Sequence, residues 1–181
     1  MQPRVILDSK KLDLTLTRLC HQLIEQHKDF SKAAIIGVQP RGVLLANRIH
    51  KKLMSILKHD DIQYGKLDIT FYRDDFRQKG KTMLADKTEI NFSLEGKHII
   101  LIDDVLYTGR TIRSALDAML DFGRPDDVEL LVLIDRRLHR HLPIQAKYVG
   151  KVIDSITAEK VKVEWKEIDG TDKVWIIEDK D

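Results

Sequence analysis

Short apolar runs alternate along this chain with stretches whose apolar residues recur every three or four positions. That alternation leaves few architectures open. Leu12, Leu16, Leu19, Leu23 and Ile24 fall at helical spacing behind a candidate cap at Asp8 or Ser9. The run Ala33-Ala34-Ile35-Ile36-Gly37-Val38 is too brief for a helix and has no polar face, as expected of a strand covered on both sides. A second helical stripe, Leu45, Ile49, Leu53 and Ile56, follows, then an alternating stretch over 67–72 that reads as a strand with one wetter face. Residues 98–102 and 128–134 are further apolar strands. Between them Ile112, Ala115, Leu116, Met119 and Leu120 form a helix that should stop at Gly123 and Pro125. Short strands are also expected at 147–150, 161–165 and 174–177. Strand, helix, strand in units this short predicts an α/β fold: a mostly parallel twisted sheet with helices on both faces.

The chain has 181 residues, and a chain of that length buries roughly 70% of its unfolded surface in one core. With no repeat or linker in the pattern, residues 1–181 are expected to form a single domain. Cys20 is the one cysteine, which excludes an internal disulfide and a zinc site built on paired thiolates; its place among leucines predicts a core thiol. The start of the chain lacks the apolar stretch of a signal peptide, and no apolar run approaches the ~20 residues of a membrane span, so a cytoplasmic protein without membrane contact is expected. The formal net charge is +2, so any affinity for polyanions must come from local clusters. From 73 to 95 the periodicity fails and charges crowd in, Arg73, Asp74, Asp75, Arg77, Lys79 and Lys81 among them. A polar stretch this long inside a compact domain reads as a lid or binding loop.

The chemistry concentrates in Ile99-Ile100-Leu101-Ile102-Asp103-Asp104-Val105-Leu106-Tyr107-Thr108-Gly109-Arg110-Thr111. An apolar strand ends abruptly in two adjacent carboxylates, and a small-residue turn then opens into a helix. Carboxylate oxygens at a strand end can accept hydrogen bonds from vicinal sugar hydroxyls. Backbone N–H groups at a helix start, with the helix dipole behind them, suit a phosphate. Gly109 allows close approach, and Thr108 and Thr111 supply hydroxyls. Vicinal diol plus phosphate describes a ribose 5-phosphate.

This run resembles the phosphoribosyl-diphosphate signature of the type I phosphoribosyltransferases. Further stretches extend the resemblance from Arg4 to about Val174: Leu16-Thr17-Arg18, Gly37-Val38-Gln39-Pro40-Arg41-Gly42-Val43, Asp68-Ile69-Thr70-Phe71-Tyr72-Arg73-Asp74-Asp75, Phe122-Gly123-Arg124-Pro125, Leu142-Pro143-Ile144 and Tyr148-Val149-Gly150-Lys151. In order and spacing they are similar to the pyrimidine regulatory family, whose members combine attenuation of pyrimidine genes with uracil phosphoribosyl transfer. The resemblance implies that Asp103 and Asp104 bind the ribose hydroxyls and act in catalysis, with Val105, Leu106, Tyr107, Thr108, Gly109, Arg110 and Thr111 forming the loop around the 5-phosphate. It also implies that Gln39, Pro40, Arg41 and Gly42 form the pyrophosphate loop. The loop after Tyr72 would be a flexible hood in which Arg73 and its neighbouring cations screen the leaving pyrophosphate. Arg136 and Lys160-Val161 would lie near the base. Tyr107 stands where purine-specific relatives carry an acid, which argues for a pyrimidine.

Uracil, phosphoribosyl diphosphate and UMP are therefore the expected small-molecule partners. Mg²⁺ is expected with the pyrophosphate, and a homo-oligomer, dimer or higher, is expected in solution. For the regulatory activity the resemblance implies leader messenger RNA as a partner and points to Thr17, His21, His139, Arg140 and Lys151. Residues 136–151 hold five Lys or Arg and no carboxylate, a composition that suits RNA phosphates and is expected to form a surface apart from the nucleotide site. The chain departs from the family there by one extra residue around Arg137-Leu138 and by Gln145, where an arginine is usual. Two other readings stay open: an RNA-binding regulator with only vestigial catalysis, and a hypoxanthine–guanine type of transferase.

Overall fold

The computed structural model describes residues 3–74, 87–154 and 159–178. In chain order the elements are β1 (Arg4–Leu7), α1 (Ser9–His27), β2 (Ala33–Val38), α2 (Arg41–Leu57), β3 (Gln63–Leu67), β4 (His98–Leu106), α3 (Arg110–Met119), β5 (Asp127–Arg136), β6 (Tyr148–Ile153), β7 (Glu159–Glu164), α4 (Lys166–Asp169) and β8 (Lys173–Glu178). Five strands form a sheet in the order β3-β2-β4-β5-β6, and every neighbouring pair is parallel.

The continuous apolar runs occur because both faces of this sheet are covered. Ile35, Ile100, Ile102, Leu131 and Leu133 face a core shared with α1 and α2. Their alternate neighbours Ile36, Ile99, Leu101, Leu130 and Val132 face a second core built on α3. On α1, Leu12, Leu16, Leu19, Cys20 and Leu23 are buried, and Asp8 caps the helix by accepting the Lys11 N–H at 2.8 Å. Burial pushes the Cys20 thiol up to about 12, the inert core thiol its spacing implied. Three expected stripe residues lie outside the core: Ile56, in the last turn of α2, Leu116 of α3 and Leu120, in the 3-10 turn after it, are 37%, 36% and 66% exposed.

Two strand expectations need correction. The strand expected over 67–72 ends at Leu67, because the Asp68 carboxylate accepts from the Thr70 N–H and hydroxyl at 3.3 and 2.7 Å and turns the chain into a 3-10 helix over Thr70–Tyr72. The strands expected over 161–165 and 174–177 exist, but they do not extend the parallel sheet. They form β7 and β8 of a separate antiparallel sheet in the order β1-β8-β7. In β7, Val161 and Val163 alternate with the exposed Lys160 and Lys162, the pattern of a sheet with one wet face. Bonds from α2 hold this small sheet against the large one. Arg48 pairs with Glu167 and Asp172 at 2.5 and 2.6 Å, and its guanidinium lies 4.8 Å from the Trp165 ring centre.

Candidate active site

In an open parallel sheet, ligands bind outside the carboxyl ends of the strands where the strand order reverses. Here the chain runs from β2 outward to β3, then crosses to β4 on the other side, so the reversal falls between β2 and β4. The two stretches singled out from the sequence, 39–42 and 103–111, leave from those two strand ends.

Helix capping sets these two ends apart from the start of α1. α1 is capped by a carboxylate, but α2 and α3 open from Pro40 and Gly109, and neither residue supplies a side-chain acceptor. Apart from a long bond from the Arg110 N–H to the Thr108 hydroxyl at 3.4 Å, neither helix start is capped by a side chain, as an anion site requires. Gly109 has φ 92°, and a Cβ there would press on the Leu142 and Ile144 side chains at 3.4 Å. Gly42 serves a close approach: a Cβ would sit 2.6 Å from the Ile102 carbonyl oxygen, so glycine lets the start of α2 rest on β4 beside Asp103. The Gln39-Pro40 peptide is cis, the Gln39 N–H donates to the Leu67 carbonyl at 2.9 Å, and its side-chain amide donates to the Lys87 carbonyl at 2.6 Å.

Asp103 and Asp104 do not end their strand; β4 runs on through Val105 and Leu106. Val105 packs toward the α1–α2 core and Leu106 lies in the α3 core, so these two serve as wall. Asp103 is 7% exposed, and its Oδ1 accepts the Asp104 N–H at 2.9 Å. Burial, reinforced by the charge of Asp104, pushes the Asp103 carboxyl well above the usual carboxylate range. Burial pushes Asp104 up to about 6, against the opposing pull of the Arg41 guanidinium and of backbone N–H groups. The Arg41 Nη1 donates to the Val163 carbonyl of β7 at 2.8 Å and lies 3.8 Å from the Asp169 carboxylate. Arg136, 5% exposed at the end of β5, donates to the Glu159 carbonyl at 2.6 Å. Two site arginines therefore hold the strand that carries Val161, which is half-buried.

The remaining expectations divide. Arg73 is exposed just past the 3-10 turn, while the neighbouring Asp74 pairs with Arg110 at 2.9 Å and with Arg113, tying the root of the charged loop to the start of α3. Asp75, Arg77, Lys79 and Lys81 lie outside the described residues. Thr17 and His21 lie on α1, which packs beside β6, the strand of Lys151. His139 and Arg140 lie elsewhere, against Tyr107 just past the end of β4. The Tyr107 ring has the Arg136 guanidinium 4.0 Å from its centre and the His139 ring at 5.5 Å. Arg140 donates to the Tyr107 carbonyl and to Asp135, both at 2.5 Å. The expectation of separate surfaces is thus corrected: segment 136–142 touches the loop directly, because β5 runs parallel to β4 and ends beside it, pairing Asp135 with Leu106. Asp135 was missed in the sequence, although it closes an apolar run just as Asp103 does.

Among the described residues no group of three or more His, Cys, Asp or Glu could hold a metal ion by itself, and no helix is long and apolar enough to cross a membrane.

Residues 5–168 match the family model of the phosphoribosyl transferase domain. The bifunctional protein PyrR of Elusimicrobium minutum is 45% identical over 174 residues, covering 96% of each chain. The PyrR of Deinococcus radiodurans is 47% identical over 176 residues, covering 97% of this chain and 95% of its own. Among solved structures, a hypoxanthine phosphoribosyltransferase from Staphylococcus aureus superposes with a TM-score of 0.67 at 20% identity, over 94% of this chain and 90% of that one. The Trypanosoma cruzi hypoxanthine enzyme, in complex with IMP, gives 0.68 at 16%, over 96% and 89%. At such identities the two structures speak for the fold alone.

Proposed function

The chain belongs to the phosphoribosyl transferase domain family and, within it, to the bifunctional PyrR proteins, and on that premise we propose how its residues carry uracil phosphoribosyl transfer and pyrimidine-operon regulation. One observation carries the reading: two helix starts without side-chain caps and a buried acidic pair converge outside the carboxyl ends of β2 and β4.

Asp103 and Asp104 accept the ribose hydroxyls of phosphoribosyl diphosphate, and the N–H groups of 108–111 take its 5-phosphate. Gln39–Gly42 faces the pyrophosphate, with the Arg41 guanidinium neutralising charge there. Uracil N1 forms a bond to ribose C1 and gives up its proton to solvent as the bond from C1 to pyrophosphate oxygen breaks, through a transition state with oxocarbenium character. Positioning and charge neutralisation supply most of the acceleration. Arg136 and Val161 flank the base, with Tyr107 beside Arg136 in place of the acid a purine would need. Arg73, at the root of the charged loop, screens departing pyrophosphate.

The donor set fits Mg²⁺. Two adjacent carboxylates whose negative charge is disfavoured by burial and by each other gain from a divalent cation, and Mg²⁺ characteristically takes one or two carboxylates plus substrate phosphate oxygens. When bound it supplies charge neutralisation for the pyrophosphate, and Asp103 and Asp104 are the residues that would hold it.

Leader RNA is the second partner. Thr17 and His21 would contribute from α1, Lys151 from β6, and His139 and Arg140 from beside the phosphate loop. We read residues 1–181 as one functional unit, cytoplasmic and homo-oligomeric. Labelled uracil, guanine, hypoxanthine and orotate, offered in parallel with phosphoribosyl diphosphate and Mg²⁺, test the reading. Uracil alone should be converted; conversion of a purine in its place would overturn it.

A further inference from the structure

We propose that Arg140 is a positioning residue of the phosphate loop, holding the Tyr107 carbonyl from an anchor on Asp135 so that the loop's N–H groups face the nucleotide. The inference deepens the proposed function and rests on its assignment of 108–111 as the 5-phosphate site.

Between Leu106, the last residue of β4, and Arg110, the first of α3, the backbone has no ladder of its own. The Gly109 carbonyl accepts the Arg113 N–H of α3 at 3.0 Å, but the two carbonyls before it find their partners in one place. The Tyr107 carbonyl accepts from Arg140 Nη1 at 2.5 Å, and the Thr108 carbonyl accepts from the His141 and Leu142 N–H groups at 3.0 and 3.2 Å. A planar trans peptide points its N–H opposite to its C=O. Holding the carbonyls of 107 and 108 toward segment 140–142 therefore turns the N–H groups of Thr108 and Gly109 to the other side, away from that segment.

Arg140 is built for this task. The second arm of its guanidinium meets Asp135 Oδ1 at 2.5 Å, and the two side chains are only 18% and 10% exposed. A cation serving only RNA phosphates would gain nothing from being withdrawn from solvent into a pair with a carboxylate. The planar fork reaches a carbonyl and a carboxylate at once, which a lysine ammonium does less well. The consequence reaches regulation: a nucleotide that orders the loop also orders the Arg140 side chain bonded to it, so the two ligands are coupled through one side chain.

The test uses the full chain without RNA. Arg140→Ala, Arg140→Lys and Asp135→Asn are compared with wild type for UMP Kd by calorimetry, for KM and kcat of uracil transfer, and for Tm. Arg140→Ala should raise the KM for phosphoribosyl diphosphate and the UMP Kd about tenfold, with a smaller change in kcat. Asp135→Asn should move both in the same direction, and Arg140→Lys should recover part of the loss. General loosening would instead lower kcat, through the active fraction, at unchanged KM. Values of KM and Kd within about twofold of wild type in a folded Arg140→Ala overturn the proposal. Should that variant fail to melt cooperatively, the same result in both Arg140→Lys and Asp135→Asn overturns it. A wild type that binds neither UMP nor phosphoribosyl diphosphate sinks the site assignment itself, which separates the two failures.

Discussion

Asp103 and Asp104 sit where their own charge is disfavoured, and that makes them useful only when a ligand or cation is present to use it. Replacing both with Asn should lower kcat/KM at least ~100-fold, because charge-assisted hydrogen bonds to the ribose are lost, and steady-state kinetics on soluble protein checks it. The pH dependence of stability supplies a second signal. The folded chain keeps the Asp104 proton up to about 6, whereas the unfolded chain releases it near 3.8. Ionisation thus penalises the fold progressively between those values and fully above them. Asp104→Asn should therefore stabilise, on the order of 1–2 kcal/mol at about pH 8 and less at about pH 4.5, read as a Tm gain that shrinks on acidification. At Gly109, valine meets both a left-handed φ of 92° and the side chains of Leu142 and Ile144. Gly109→Val should cost ~1–3 kcal/mol of stability and abolish the protection that UMP gives wild type against thermal unfolding. A shift with UMP equal to the wild-type shift would move the phosphate site elsewhere.

At the scale of elements, side chains of α2 hold the small antiparallel sheet that carries Val161, the residue proposed to flank the base. Arg48 bridges two carboxylates beside the buried Trp165, and both Glu167 and Asp172 are held below the usual carboxylate range. Bonding to Arg48 dominates for Glu167; for Asp172, burial pushes the other way and is outweighed by bonds from Arg48 and the Lys166 N–H. Arg48→Ala leaves the partly buried Asp172 and the exposed Glu167 without their cation, and a Tm decrease of ~5–10 °C is expected, with Trp emission shifting to the red. Unchanged Trp emission and Tm would mean that apolar packing alone seats the sheet. A quite different cluster joins the other end of the large sheet. There His27, Lys147 and Tyr148 surround the buried Glu129 near the start of β5 and tie α1 to β6 at the end away from Asp103 and Asp104.

For the whole molecule, a net charge of +2 means that RNA binding must be local, through α1, β6 and segment 136–142. Affinity for a pyrimidine leader hairpin should fall steeply with salt as phosphate contacts release counterions. Gln145 is exposed beside Ala146 and Lys147, so its neutral amide faces solvent where a cation would meet phosphate. Gln145→Arg should strengthen leader binding by about 1 kcal/mol, the worth of one added charge-assisted bond. UMP should strengthen it in both versions, since linkage is reciprocal. Filter binding on the leader and on a scrambled hairpin, with and without UMP, checks this. Equal and weak binding to both RNAs would leave the basic face without a regulatory role.

The parallel sheet, its two coverings and the 103–111 run were legible because each depends on local pattern: apolar runs two faces wide, helical stripes, and a carboxylate pair before a glycine turn. Leu67–Tyr72 misled because alternation continues past Asp68, and only the hydrogen bonds from Thr70 reveal the turn. Which sheet β7 and β8 join was beyond the pattern of those segments, since an antiparallel partner, β1, comes from the far end of the chain. The role of Arg140 lay deeper still. In sequence it is one of five cations in a carboxylate-free stretch, and the partner that withdraws it from solvent, Asp135, lies one residue before that stretch. Only the parallel register of β4 and β5 brings Asp135, Arg140 and the Tyr107 carbonyl to one point. Local periodicity determined the elements and the composition of the site; the meeting of strand ends, which no local pattern encodes, decided which charges face ligand and which face each other.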